Sequence, residues 1–519
     1  MPAIVSDQFR IFNAENFVNS VKDSDNSYYI FIGQPNSLNP QANGNLTWNE
    51  FPPSPLDGFK EENKIKETII SMKKINSDDI RRMIRKVNWT SGTTYEMYRH
   101  DYDVYNKSPI SNSPSLYGAN FYVINEDFRV YICLQNGTDP ENPKGRPSFD
   151  QPTFIDLEPR PAGTSGDGYI WKYLYTIKPS EVVKFDSIEF IPVPEDWGSV
   201  GETISTKLNA IDGKIDVINI VDRGSNYQPI SKSFTNVPIL GDGTGGKATI
   251  TVDSFGKVSE IFVAEGGSGY TEGIIKFEPG APGIPSELTN NGNTAIFNVI
   301  IPPKGGHGYN IYNELGAYRV LVYSRFVTDD SNPDAILGND FARVGILRNP
   351  KVFGSTTETL KVGEVSALKS LKLSGFSTLT TYPVDRVITQ TIGTGVTATG
   401  FVASWDNVTG VLKYYQPVGL ATGAVNYQIN NFTSTLSLGG SLNINSPNII
   451  GPVLSIDSNF TASSTLINSK TYQLGSNFVN GTSQPEYNIR TGEILYIDNR
   501  MPIPRSPSQK EDIKIVLEF

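Results

Sequence analysis

The residues able to do chemistry are few and scattered. Only two histidines occur, His100 and His307. His100 lies in Arg99-His100-Asp101-Tyr102-Asp103, which offers a metal one nitrogen and several carboxylate oxygens. A metal centre needs further ligands at matched spacing, and no second histidine is near, so this run is expected to be a surface loop. His307 sits in a glycine turn whose related copies carry serine, so it is expected to be structural and replaceable. Gly241-Asp242-Gly243-Thr244-Gly245-Gly246 has the glycine spacing of a dinucleotide-binding turn. That chemistry requires a following helix, whose amides meet the pyrophosphate. Here Lys247-Ala248-Thr249-Ile250-Thr251-Val252 follows and alternates as a strand does. The adjacent carboxylates Glu61-Glu62 and Asp329-Asp330 point apart on any regular element, and read as helix-surface and turn charges rather than an acid/base pair. Cys133 is the lone cysteine, and within Val130-Tyr131-Ile132-Cys133-Leu134 it reads as a small buried strand residue. Arg81, Arg82, Arg85 and Lys86 are the best candidate for an anion patch, weighed against a solvated helix face. No catalytic, metal-ligating or cofactor-binding residue is assigned, and a non-enzymatic function is expected.

The bulk properties narrow the class. A chain of 519 residues exceeds one ordinary core and predicts three or four domains. Hydrophobic residues reach 38% and charged residues only 19%, which predicts a folded chain rather than a disordered one. Frequent Gly and Pro, with 25 Tyr and 26 Phe, favour short strands joined by turns. The net charge of −10 and the absence of any long Lys/Arg run argue against a nucleic-acid partner. No apolar run approaches the roughly 18 residues of a membrane span, and Met1 to Arg10 lacks a secretory pattern. The chain is therefore expected to be made and folded in a cytoplasm.

Stepping along the chain, residues 1–58 read as mixed strand and loop. They contain the strand Ser27-Tyr28-Tyr29-Ile30-Phe31-Ile32-Gly33 and the Pro-rich Asn49-Glu50-Phe51-Pro52-Pro53-Ser54-Pro55. Ile65, Ile69 and Met72 fall on one helical face, and a second short helix is expected from Ser77 or Asp78, turning Ile80, Met83, Ile84 and Val87 inward. From Trp89 to Pro194 strands are expected, including a hairpin of Tyr117–Asn125 and Phe128–Leu134 around Glu126-Asp127. The aromatic strand Tyr169–Ile177 follows the turn Gly166-Asp167-Gly168.

Residues 201–312 carry an internal repeat. Gly213-Lys214-Ile215 recurs as Gly256-Lys257-Val258, and Gly224-Ser225-Asn226-Tyr227 as Gly267-Ser268-Gly269-Tyr270, both at an offset of 43 residues. Gly306-His307-Gly308-Tyr309 is a third, degenerate copy. Such units are expected to be strands closed by a glycine turn and anchored by tyrosine, and to stack on one another. After Ala317–Tyr323, another strand, residues 354–486 change texture. Between Thr391 and Ser483 the only charged residues are Asp406, Lys413, Asp457 and Lys470. Alternation such as Thr397-Ala398-Thr399-Gly400-Phe401-Val402-Ala403 predicts an all-β module with uncharged polar faces, with low-complexity disorder as the rival. Two strands split by a Pro-containing loop close the chain, around Ile494–Ile497 and Ile513–Leu517.

Gly166-Asp167-Gly168-Tyr169-Ile170-Trp171-Lys172-Tyr173-Leu174-Tyr175 resembles a segment of the small dimeric wedge protein, gene product eight, of T-even-type phage baseplates. Thr491-Gly492-Glu493-Ile494-Leu495-Tyr496-Ile497-Asp498-Asn499-Arg500, then Pro502 and a strand ending at Phe519, resembles that family's last stretch. The Ile30–Gly33 strand with its Pro-rich sequel, and Leu337-Gly338-Asn339-Asp340-Phe341-Ala342-Arg343 through Arg348-Asn349-Pro350, match in the same order. The resemblance covers residues 1–200, 313–353 and 487–519, just over half of the chain. It divides the chain into a core in three parts, with 201–312 and 354–486 as inserted modules.

The resemblance implies a β-sandwich or Greek-key core with few short helices; with the β-repeat and all-β modules read from the residues, which are extra to the compact family form, a mainly β protein is expected. It implies a homodimer within the baseplate wedge of a contractile virion tail, assembled in the host cytoplasm against other wedge proteins, without catalysis; no cofactor, nucleic-acid or membrane partner is expected. Gly166, Asp167, Gly168, Tyr169, Trp171, Tyr173, Gly492, Tyr496, Asn499 and Arg500 are carried over as scaffold positions only. Trp171 and Tyr173 share a strand face, and Arg500 after Asp498 is expected to form a fixed turn pair. The alternative is a receptor- or glycan-binding tail protein acting on a host surface, through the Ser/Thr/Asn-rich module and exposed repeat tyrosines. A hydrolytic tail enzyme is a weaker third reading.

Overall fold

A computed structural model describes residues 3–34, 52–199, 201–328, 333, 335–416, 429–506 and 509–519. Asn49, Glu50 and Phe51 of the Pro-rich stretch, and Asp329-Asp330, lie outside the described residues. The fold is mainly β, built from antiparallel sheets with few, mostly short helices. The chain divides into two compact units, one of residues 1–18, 81–321 and 516–519, the other of residues 19–80 and 322–515.

In the first unit, strands Tyr122–Ile124, Arg129–Asn136 and Tyr169–Thr176 form one antiparallel sheet. The expected hairpin is present, with Ile124 opposite Val130, and Leu116–Gly118 before it is a single 3-10 turn. Bulges interrupt the pairing with the aromatic strand, so that Cys133 faces Trp171 and Val130 faces Tyr175. Tyr122, Tyr131, Tyr169, Trp171, Tyr173 and Tyr175 are all essentially inaccessible to water. Their ring contacts add about 0.5–1.5 kcal/mol per pair to the burial itself. Long loops fill 89–121 and 137–168, and Pro179–Phe185 is a helix with proline in its first turn, not the strand texture expected.

The repeat region has its own hydrophobic cluster, from Ile215 to Ile301. Strands Lys232–Pro238, Lys247–Val252 and Val258–Glu265 make one sheet, and Ile218–Asp222 pairs with Ile296–Val299. The two copies do not stack in series as expected. They exchange backbone bonds at equivalent positions: the Ile215 amide donates to Gly266 and the Val258 amide to Arg223, at 2.9 Å each. Likewise the Tyr227 amide donates to Gly256 and the Tyr270 amide to Gly213. Each copy therefore supplies backbone partners to the other.

The second unit holds a five-stranded sheet in the order Glu364–Ser366, Ile69–Lys74, Tyr28–Gly33, Asp340–Arg348, Glu493–Pro504. Gly345 sits at its centre because a Cβ there would lie 2.3 Å from the Phe31 ring and 2.6 Å from the Tyr496 carbonyl. A second sheet is built on Val387–Gly393, Val396–Asp406, Val411–Tyr415 and Lys369–Ser374, and seals Leu371, Ile388, Val402 and Leu412. The Ser/Thr/Asn-rich segment is thus an all-β module over its described residues.

The helical reading of 59–87 is corrected. The helix is Phe59–Glu67 only; Ile69–Lys74 and Ile80–Arg85 are strands, joined by a 3-10 turn at Ser77–Asp79. Apolar residues at 69, 70 and 72, and at 80, 83 and 84, satisfy both periods over so short a run, and β-branched isoleucines side with the strand. The N-terminal segment, read as strand and loop, opens with the helix Asp7–Lys22.

Candidate interaction surface

The scaffold positions carried by the resemblance are placed as follows. Asp167 fixes the turn before the aromatic strand: one carboxylate oxygen accepts the Tyr169 amide at 3.0 Å and the other the Phe149 amide at 2.9 Å. Gly166 and Gly168 both have positive φ, and a Cβ on Gly168 would stand 2.8 Å from the Gly137 Cα. Tyr169 stacks on Trp171 with centroids 5.3 Å apart, and Tyr173 meets Tyr131 edge to face at 5.7 Å. The Tyr169 hydroxyl donates to the Arg146 carbonyl at 2.7 Å and accepts the Tyr95 amide at 2.8 Å.

Gly492, Tyr496, Asn499 and Arg500 lie in the second unit. Gly492 has φ 81° and precedes the strand Glu493–Pro504, in which Tyr496 is half-buried opposite Ile346. Asn499 sits directly opposite Arg343, accepts its Nε at 2.8 Å and donates to the Pro53 carbonyl at 2.9 Å. Arg343 is buried, and its guanidinium pKa is pushed down to about 10 by loss of water, partly opposed by Glu61. Three of the four resembling segments are therefore consecutive strands of one sheet: Gly33 faces Arg343, and Arg343 faces Asn499. The fourth belongs to the other unit. The Asp498–Arg500 turn pair is corrected. Both residues are on the strand, two apart and so on the same face, joined at 2.6 Å across an exposed surface. The strand continues through Pro502 because it lies at the sheet's edge.

Most charged groups singled out by the sequence are committed internally. Arg81 bonds Glu181 at 3.0 Å and Glu195 at 2.8 Å, Arg82 lies 3.2 Å over the Tyr312 ring, Arg85 donates to the Ala119 carbonyl, and Lys86 grips Asp186. This cluster is a strand knitted to its neighbours, neither a solvated helix face nor an open anion patch. Glu96 is fully buried, and its carboxylate accepts the amides of Ile110, Ser111 and Asn120 and the Ser111 hydroxyl. Burial raises its pKa, but these hydrogen bonds outweigh it and hold the carboxyl below its usual range.

His100 is exposed, and its Nδ1 accepts the Ile301 amide at 3.2 Å. Among the described residues no cluster of three or more His, Cys, Asp or Glu is arranged to hold a metal, and no helix is long and apolar enough to cross a membrane. His307 is structural, as expected, and makes contacts that a serine would not. It is buried edge-on against Tyr98, with Nδ1 2.6 Å from Glu314, whose other oxygen accepts the Gly308 amide. Cys133 is fully buried, and loss of water drives its thiol pKa up. Gly243 and Gly246 of the glycine-rich turn press on Tyr270, where a Cβ would come within 2.4 and 2.8 Å of the ring and hydroxyl. These glycines clear space for a tyrosine, and the strand Lys247–Val252 follows directly. The repeat tyrosines expected at the surface, Tyr227 and Tyr270, are buried; only Tyr309 is half-exposed.

What the sequence reading missed is the outer face of the Asp7–Lys22 helix. Ile11, Ala14 and Val18 turn inward, while Phe9 and Phe12 are 53% and 55% exposed, and Ile4 and Val5, just before the helix, are exposed as well. The helix is held by Asp7 to the Ser115 hydroxyl at 2.8 Å, by Arg10 to Glu518 at 2.6 Å and to the Tyr318 ring, and by Phe17 on Phe519. Apolar residues on two faces blur the amphipathic period, which hid the helix; the Val5, Phe9, Phe12 spacing was the available signal. Contiguous exposed apolar surface on a rigid element is characteristic of protein-protein contact. Compared with protein-family models the chain matches none, and comparison with curated protein sequences gives no significant match.

Proposed function

We propose that the chain is a structural subunit of a phage tail baseplate wedge, acting as a homodimer that joins neighbouring wedge proteins during tail assembly in the host cytoplasm and supports baseplate rearrangement on infection. The carrying observation is the exposed pair Phe9 and Phe12 on a helix tied down at Asp7 and Arg10, with exposed Ile4 and Val5 just before it. The sequence resemblance supplies the identity of the assembly. The commitment of titratable groups to internal pairs and aromatic packing suits a part shaped for docking, where buried apolar area carries association.

Sedimentation of the purified full chain, with capture from infected-cell lysate, tests the reading. A dimer that retains other tail proteins is expected, with Phe9→Glu/Phe12→Glu losing at least one association while its circular dichroism is unchanged. A monomer that captures no tail protein overturns it.

A further inference from the structure

The second unit contains a cavity of about 460 Å³. Its wall includes Lys369, Tyr414, Gln416, Asn431, Arg490 and Phe353. We propose that this cavity binds a small organic carboxylate, with the Lys369 ammonium as the carboxylate's partner.

Lys369 is 8% exposed at the start of the strand Lys369–Ser374, opposite Tyr414. Its Nζ donates to Gln416 Oε1 at 2.8 Å and to Asn431 Oδ1 at 2.6 Å. An ammonium has three donors, so among the described residues one is left for a ligand. Both partners are neutral amides, and no carboxylate of the described residues pairs with it. A buried cation without a counter-charge is costly, whereas an entering anion restores the balance and gains a charge-assisted hydrogen bond. The other cation on the wall is already paired: Arg490 is bound to Glu67. Phe353 is half-exposed and offers an apolar face beside the charge. The volume lies within the range of small-molecule sites, about 300–1,000 Å³.

Burial alone pushes the Lys369 pKa down to about 8. The ammonium therefore predominates below that pH and is lost above it, so affinity falls as pH rises. Of the other titratable wall groups, Tyr414 and Tyr415 are shifted upward by burial, out of this window, and Glu67 and Arg490 hold each other.

Saturation-transfer NMR of the full chain with glucuronate and with acetate, and with glucose as the neutral control, tests the site. At least one carboxylate is expected to bind at pH 7, glucose about tenfold or more weaker, and Lys369→Met to weaken carboxylate binding about tenfold or more, the size of one charge-assisted contact. Should Lys369→Met fail to melt cooperatively, the wild-type titration decides: binding lost between pH 7 and 9 supports the site, and binding indifferent to pH overturns it. Absence of binding by both carboxylates, or undiminished binding to folded Lys369→Met, overturns it as well. The oligomeric state does not enter these outcomes, so this inference and the assembly reading fail separately.

Discussion

Tyr227 and Tyr270, 43 positions apart in the chain, each donate one hydrogen bond to and accept one from the backbone of the other repeat copy. The Tyr227 hydroxyl donates to the Phe277 carbonyl at 3.0 Å and accepts the Ala295 amide at 2.7 Å. The Tyr270 hydroxyl donates to the Ile239 carbonyl at 2.9 Å and accepts the Gly246 amide at 3.1 Å. Each phenol thus ties its own copy to the other, with the ring buried and both backbone partners satisfied.

Removing either hydroxyl strands a buried carbonyl and a buried amide. Tyr227→Phe and Tyr270→Phe should each cost about 2 kcal/mol in urea unfolding of the unit that holds them. Tyr309→Phe, in the degenerate copy, should stay within about 0.5 kcal/mol, because that side chain is half in water.

Glu96 makes a pH prediction. Its folded pKa is lowered, so its contribution is complete above the unfolded carboxyl value of about 4.3 and is lost as pH falls through the lower folded value. Glu96→Gln should destabilise the protein at pH 7, by about 2 kcal/mol or more, since an amide cannot accept the same set of donors. The difference between wild type and variant should shrink in denaturation curves taken progressively below pH 4.3.

The two turn glycines before the aromatic strand are predicted to differ. Gly166 has φ 70° with open space around it, so Gly166→Ala should cost about 1 kcal/mol from the left-handed conformation alone. Gly168 has φ 84° and backs onto Gly137, so Gly168→Ala adds a backbone clash and should cost about 3 kcal/mol. Thermal melts of the two variants side by side check this.

Cys133 should be inert in the native protein. Its thiol is fully buried and its ionisation is suppressed by the loss of water, and the thiolate is the reactive form. A coloured disulfide reagent should titrate it promptly in guanidinium and only at the rate of unfolding in buffer.

Legibility in the sequence followed the length and singularity of each signal. The β class, the Ile124–Val130 hairpin and the 43-residue repeat were readable because alternation and glycine-tyrosine turns are local. The repeats' mode of association was not readable, because the bonds from Ile215 to Gly266 and from Val258 to Arg223 join segments far apart in the chain. Ile69–Lys74 and Ile80–Arg85 were misread because short apolar clusters fit two periods, and only sheet partners such as Tyr29 and Ile191 decide between them. Trp171 and Tyr173 were correctly placed on one buried strand. The pairing of Arg343 with Asn499 needed the fold, since 156 positions separate them. The apolar face of Phe9 and Phe12 showed only in a spacing blurred by apolar residues on the opposite face, and the setting of Lys369 had no motif at all, being defined by what surrounds it in space.

The crossed bonding of the two glycine-tyrosine units has a further meaning. An interface in which position i of one copy meets position j of the other, and j meets i, is the arrangement of a symmetric dimer. Here that dimer is tied into a single polypeptide, at an effective concentration on the order of millimolar or above. Its matching faces are spent on each other, so the two full copies close as a pair.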